Sequence, residues 1–161
     1  MEPNPNIIID DYGNMIDTSG LAARCEKIIC NMSKDFETKC LEIAKEIYNL
    51  TYEDISVWMP LIRNMLRRDL AIREGKEEPL SEKDHYHLTG HNKNAYAKLI
   101  GIIFNTELII VNGEQFSDMN EYEKLKILLL EKLNSPSQKK YLIIFENMDN
   151  IIGQEINKHN N

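Results

Sequence analysis

Cysteine is scarce in this chain, and the three present, Cys25, Cys30 and Cys40, fit no zinc-ligand spacing. Their odd number also argues against a disulfide frame, so Cys25 and Cys40 read as fillers of helix faces in a reducing compartment. Long apolar runs are missing. Residues 99–104 form one of the longest, far short of the ~20 residues that a bilayer span requires, so no membrane association is expected. A basic excess is missing as well. The net charge of −7 argues against a general nucleic-acid binder, which presents a basic face. The arginines at 63, 67, 68 and 73 and the pair Lys139 and Lys140 read as solvated helix surface. The first residues are acidic and polar and do not form a secretory signal. The glycosylation patterns at Asn31 and Asn49 therefore carry no meaning, and an intracellular location, cytoplasmic or nuclear, is expected. There is no internal repeat, and the polar tail 157–161 is the one biased tract.

What remains is an ordinary globular composition, 42% apolar and 28% charged over 161 residues, enough for one domain with a helical appendage. Residues 1–20 carry prolines, glycines and many Asn and Asp. They read as an irregular arm, with Ile7-Ile8-Ile9 as a short strand at most. From Leu21 the spacing is helical. Cys25, Ile28, Ile29 and Met32 share a face, and Leu41, Ala44, Ile47 and Tyr48 repeat the pattern after a break and cap at Ser33. Thr51-Tyr-Glu-Asp54 resembles a capping box for a third helix carrying Ile55, Trp58, Met59, Ile62, Leu66 and Leu70. Pro60 kinks or restarts that helix, and Gly75 to Pro79 stop it. Residues 85–89 predict a strand and residues 94–104 a helix with Tyr96, Leu99, Ile100 and Ile103 on one side. Residues 108–111 predict a β-branched strand ending at the turn Asn112-Gly113. Asp118 caps a long helix bearing Tyr122, Leu125, Leu128, Leu129 and Leu133. Residues 141–145 form a short, continuously apolar strand of the kind covered on both faces.

Strand, helix, strand, helix, strand is the order that favours a parallel sheet with crossover helices. The expected fold is α/β: a partial P-loop-like parallel sheet over 79–156, preceded by an arm (1–20) and a helical region (21–78) and followed by the tail 157–161. Tyr86, Leu88, Ile109, Val111, Leu125, Leu129, Ile143 and Phe145 are its expected core. Ligands of such sheets bind beyond the carboxyl ends of the strands. Three elements fall there: the loop Gly90-His-Asn-Lys-Asn94; the turn Asn112-Gly113; and Glu146, Asn147 and Asp149. His85, His87 and His91 also cluster, but at no known metal spacing.

From about Met59 to Gly153 the chain resembles the first half of an AAA-family ATPase module. Met59-Pro-Leu61 is similar to the family's entrance segment, His87-Leu-Thr-Gly90 to the strand leading into the phosphate loop, and Ala97-Lys98 to the pair on the helix that follows. Ile109 to Phe116 resembles the second strand and its sequel. Glu121-Tyr-Glu-Lys-Leu125 resembles a family helix start, and Leu142 to Asn150 the strand that ends on metal-positioning acids. The departures remove the chemistry. The loop between Gly90 and Ala97 is about three residues short, has no second glycine and lacks the Lys-Thr or Lys-Ser pair, with Lys93 misplaced. Glu146 stands where the family holds its metal-positioning Asp. Asn147 stands where the family has the Glu that activates water, and an amide cannot accept that proton near neutral pH. Later strands, the arginine finger and the helical lid have no counterpart.

The resemblance therefore implies a non-catalytic protein-interaction or adaptor module, a pseudo-ATPase without a catalytic residue or a metal site. Its vestigial nucleotide pocket would be formed by Gly90, His91, Asn92, Lys93, Glu146, Asn147 and Asp149. No cofactor is expected, ATP with Mg²⁺ being the one ligand such a pocket leaves open. A protein partner or self-association is expected, because a truncated sheet exposes an edge. The alternative is an all-α bundle in which residues 95–111 and 141–152 are single buried helices, as in virus-encoded Bcl-2-like inhibitors that act on host signalling by protein binding. A working nucleotide enzyme is the third reading and would need phosphate contacts that the short loop does not supply.

Overall fold

The computed structural model describes residues 6–76, 91–116, 118–133 and 141–146. The chain divides into two compact units, Met1–Asn105 and Thr106–Asn161. The fold is mixed α/β, with one small antiparallel and one small parallel sheet among its helices.

The first unit opens with β1 (Ile7–Ile9) and β2 (Met15–Asp17), paired antiparallel with Ile8 opposite Ile16. This ordered hairpin corrects the irregular-arm reading of residues 1–20 over the part described. Strand alternation sends Ile8 and Ile16 into the core and the facing pair Ile9 and Met15 outward. The turn is built by side chains. Asp10 Oδ1 accepts from the backbone N–H groups of Tyr12 (2.9 Å) and Asn14 (2.8 Å), and Gly13 supplies the φ of 83° that closes it.

In α1 (Leu21–Ile29), Leu21, Cys25 and Ile29 lie one turn apart and are buried. Met32, expected on that face, lies past the helix end and is 96% exposed. The carbonyl of Ile29 accepts from the buried Lys39 ammonium at 2.7 Å, so a cation from the next helix satisfies the α1 terminus. α2 (Phe36–Thr51) is capped by Asp35, whose side chain accepts from Thr38 N–H at 2.7 Å. Ser33, the expected cap, instead turns on Asn31. The buried face of α2 is Cys40, Ile43 and Ile47, while Leu41 (60%) and Tyr48 (49%) are exposed. Ile47 is buried and Ala44 packs against the core as expected, but Cys40 and Ile43 take the inward places expected of Leu41 and Tyr48. Cys25 and Cys40 do fill helix faces, and burial pushes their thiols up to about 12 and about 11.

α2 runs through Thr51, and Tyr52 ends it in the left-handed region at φ 57°. Thr51 and Tyr52 therefore close α2, while Asp54 accepts from Ser56 N–H at 2.9 Å where the next turn begins. A 3₁₀ turn (Ser56–Trp58) leads into α3 (Met59–Arg73), where Pro60 sits in the first turn and needs no intrahelical donor. Leu61, Ile62 and Leu66 are buried. Gly75, at φ 78°, terminates α3 in a Schellman motif, with Gly75 N–H bonded to Ile72 O and Lys76 N–H to Ala71 O. α4 (Lys93–Ile103) is apolar around most of its circumference and correspondingly buried, with Tyr96, Leu99, Ile100 and Ile103 inside as expected. It packs against α1 and β1, and Tyr96 lies 5.2 Å from Trp58, ring to ring. The first unit ends at Asn105, just after α4.

The second unit contains β3 (Glu107–Asn112), a 3₁₀ turn (Gly113–Gln115), α5 (Met119–Leu133) and β4 (Tyr141–Glu146). β3 and β4 run parallel, from Glu107 opposite Tyr141 to Asn112 opposite Glu146. Asn112 starts the 3₁₀ turn by accepting from Glu114 N–H at 3.0 Å, and Asp118 caps α5 by accepting from Glu121 N–H at 2.9 Å. Tyr122 of α5 meets Phe145 of β4 edge-on at 5.7 Å. The all-α alternative is corrected here. Residues 95–111 are a helix that stops at Ile103, a turn with Asn105 at φ 51°, and a strand. Residues 141–146 are extended.

The expected core of this unit is also corrected in part. Val111 is buried, but Ile109, Leu125, Leu129 and Ile143 are half-buried and Phe145 is 38% exposed. The two-sided covering expected of β4 is not complete among the described residues. Tyr86, Leu88 and the expected strand 85–89 lie outside the described residues.

Candidate functional site

Of the seven expected pocket residues, Gly90, Asn147 and Asp149 lie outside the described residues. His91, Asn92 and Lys93 sit at the start of α4, in the first unit, and Glu146 ends β4 in the second. Within the second unit, Asn112 and Glu146 are register partners at the shared carboxyl end of the parallel pair. That is the position at which sheets of this kind present ligand-contacting residues.

The start of α4 holds a polar cluster within the first unit. Asn92 is buried, with φ 63° and ψ 12°, a left-handed conformation that asparagine tolerates better than most residues. Its Oδ1 accepts from Asp11 N–H at 2.7 Å, while its own backbone N–H donates to Asp11 Oδ2 at 2.7 Å. The two residues thus bond each other reciprocally across 81 positions of sequence. Asn92 Nδ2 reaches Glu53 Oε1 at 3.3 Å, and the Tyr96 hydroxyl donates to Glu53 Oε2 at 2.5 Å. The ring of His91 lies 5.7 Å from that of Tyr12. Hairpin turn, α2–α3 connection and α4 are tied together by this cluster. Desolvation, with the Glu53 hydrogen bond second, pushes the Tyr96 hydroxyl up to about 12, so it stays a protonated donor. At Asp10, partial desolvation acts upward, but bonds from Asn14, Tyr12 and Gly13 outweigh it and hold the carboxyl below its usual range.

The chemistry of this cluster opposes phosphate. A helix N-terminus attracts anions because its first N–H groups lack intrahelical acceptors. Here Asn92, the residue that precedes α4, donates its N–H to the Asp11 carboxylate, and a second carboxylate, Glu53, lies within hydrogen-bond distance of the same asparagine. A triphosphate would have to displace one carboxylate and approach another. Lys93 is exposed on the following turn.

Other candidates are structural. The guanidinium of Arg73 grips Glu26 through two bonds of 2.8 and 2.6 Å and Asp69 through one of 2.6 Å. The Asp69 side chain is buried, so this pairing neutralises a carboxylate inside the first unit. Arg63 pairs with Glu37 at 3.2 Å, and Arg67 donates to Asn64 at 2.7 Å. Arg63, Arg67 and Arg73 of α3 are thus committed to neighbours on the first unit. Cys30 donates to Glu26 at 3.3 Å; that bond, then desolvation, raises its thiol above the ordinary value. Among the described residues no group of His, Cys, Asp and Glu is placed to hold a metal, and His85 and His87 lie outside them. A shallow depression of about 220 Å³ lined by Phe36, Arg67 and Leu70 is smaller than the ~300–1,000 Å³ of small-molecule sites.

Sequence reading singled out Asn92 but missed Asp11, Glu53 and Tyr96 as its partners. Separations of 81, 39 and 43 residues leave no local spacing to detect. No known protein family matches the chain, and neither a curated protein nor a solved structure was found to be similar to it.

Proposed function

We propose that this chain is a non-catalytic protein-interaction module whose second half descends from an AAA-like nucleotide-binding fold. The parallel pairing of β3 and β4 around α5 carries the reading. Parallel strands joined through a helix are the unit from which such folds are assembled, and Asn112 and Glu146 stand side by side at the end where the ancestral ligand would lie. The loss of nucleotide chemistry is supported from the other half of the expected pocket. The start of α4 is bonded to Asp11 and Asn92 is bonded to Glu53, so negative charge already occupies that place. The interaction role is supported by apolar side chains of the second unit that remain in contact with solvent: Ile110 (45%), Ile127 (54%) and Leu128 (62%).

Calorimetric titration with ATP and Mg²⁺ tests the reading. No heat of specific binding is expected at 1 mM nucleotide, roughly the upper limit of ordinary KM values. Magnesium-dependent binding in the low micromolar range would overturn it.

A further inference from the structure

α5 is apolar on two sides. Tyr122, Leu125 and Leu129 are half-buried within the second unit, and Tyr122 packs on Phe116 and Phe145. On another side, Lys124, Ile127, Leu128 and Glu131 are all exposed. Their spacing of i, i+3, i+4 and i+7 places them on one continuous stripe two turns long. On the solvent-facing side of a surface helix such a stripe is ordinarily polar. This one has its two apolar residues in the middle and opposite charges at its ends, and among the described residues neither Lys124 nor Glu131 has an ion-pair partner.

The stripe has a symmetry that identifies its occupant. A two-fold axis crossing α5 midway between Ile127 and Leu128 sets each residue opposite the one equally far on the other side. Ile127 then meets the Leu128 of another copy, and Lys124 meets the Glu131 of another copy, twice over. An isologous contact must be self-complementary in this way, whereas a different partner would have no reason to match it. We propose that the exposed face of α5 is the docking surface for a second copy of this chain, paired antiparallel, with Ile127 and Leu128 at the centre and reciprocal Lys124–Glu131 ion pairs at the rim. This deepens the interaction-module reading by naming the partner. A helix of 15 residues is about 22 Å long and buries well under the ~1,200 Å² of standard interfaces. The dimer is accordingly weak, with a dissociation constant of roughly 10–500 μM if no other surface joins in.

Sedimentation equilibrium of the full chain at 5 μM to 1 mM tests the pairing. The unaltered chain is expected to show a reversible monomer–dimer equilibrium. Lys124→Glu and Glu131→Lys each turn both rim pairs into like-charge contacts, and each weakens the dimer on the order of tenfold. An equimolar mixture of the two single variants regains the dimer, because every rim contact is again between opposite charges; the double variant regains it alone. Circular dichroism of each variant should match the unaltered chain, since both positions are exposed. A chain that stays monomeric to 1 mM overturns the pairing. So does a dimer that neither charge reversal weakens, or one that the mixture fails to restore. These failures leave the interaction-module reading standing, because that reading falls on magnesium-dependent ATP binding, which no α5 variant touches.

Discussion

The two units differ in how many apolar residues they bury completely, although the first also exposes Met15, Met32, Tyr52 and Val57. In the first, Leu21, Cys25, Ile29, Cys40, Ile43, Ile47, Ile62, Leu66, Leu99 and Ile100 are each at most 1% exposed, and they come from four helices that share one core. In the second, Val111 is buried, while Ile110, Ile127, Leu128 and Phe145 keep between 38% and 62% of their surface. The lengths give the reason. A segment the size of Thr106–Asn161 buries a smaller fraction of its surface than one the size of Met1–Asn105. A parallel sheet also asks for cover on both faces. The difference separates a helical core with many fully buried side chains from a β-α-β unit with few.

Substitutions should widen or close this contrast. The largest effect is expected from Leu66→Ala or Ile43→Ala, both fully buried in the first unit. Each should cost about 2–5 kcal/mol in denaturant unfolding followed by Trp58 fluorescence. Phe145→Ala, in the second unit, should cost about 1–2 kcal/mol because much of that ring is already solvated. Equal losses at both sites would erase the contrast. Next comes the polar clasp. Asn92→Ala removes the reciprocal bonds to Asp11 and places alanine in a left-handed conformation, and should cost about 2–4 kcal/mol. Lys39→Met withdraws the donor from Ile29 O and should cost about 1–2 kcal/mol, read as a lowered midpoint at unchanged slope.

The smallest effect is one of pH. Bonds from Thr38, backbone first and side chain second, lower the Asp35 carboxyl below its ordinary 3.8. A depressed carboxylate contributes stability above its unfolded value, and that contribution disappears as pH falls through the folded value. Asp35→Asn keeps a capping oxygen but no charge. It should therefore fall slightly short of the parent in thermal melts at pH 6, and that gap should narrow at a second pH, well below 3.8. An identical gap at both pH values would show that Asp35 contributes nothing through its charge.

The parts of the fold legible in the sequence are those fixed by short-range chemistry. Pro60 restarts α3, Gly75 stops it, Asp118 caps α5, and the runs at 107–112 and 141–146 are strands that pair in the same direction. The helix at 93–103 was legible because its apolar residues leave no other reading of the period. Errors arose where two periods compete. Leu41 and Tyr48 sit beside Cys40, Ile43 and Ile47, and only tertiary packing decides which neighbour turns inward. The hairpin at residues 7–17 was missed because its turn is held by the Asp10 side chain rather than by a two-residue Gly motif. At the candidate site, Asn92 could be named from position, but its occupation by Asp11 and Glu53 is long-range and inverts the electrostatic expectation for a phosphate loop.

Hydrogen exchange of the full chain, followed by mass spectrometry at 5 μM and at 500 μM, tests the contrast most directly. The account predicts that amides of α2 and α4 are strongly protected and indifferent to concentration. Those of α5, β3 and β4 should exchange faster at 5 μM and slow down at 500 μM, as the second unit gains the cover that it does not provide for itself. Equal, concentration-independent protection in both units would contradict it.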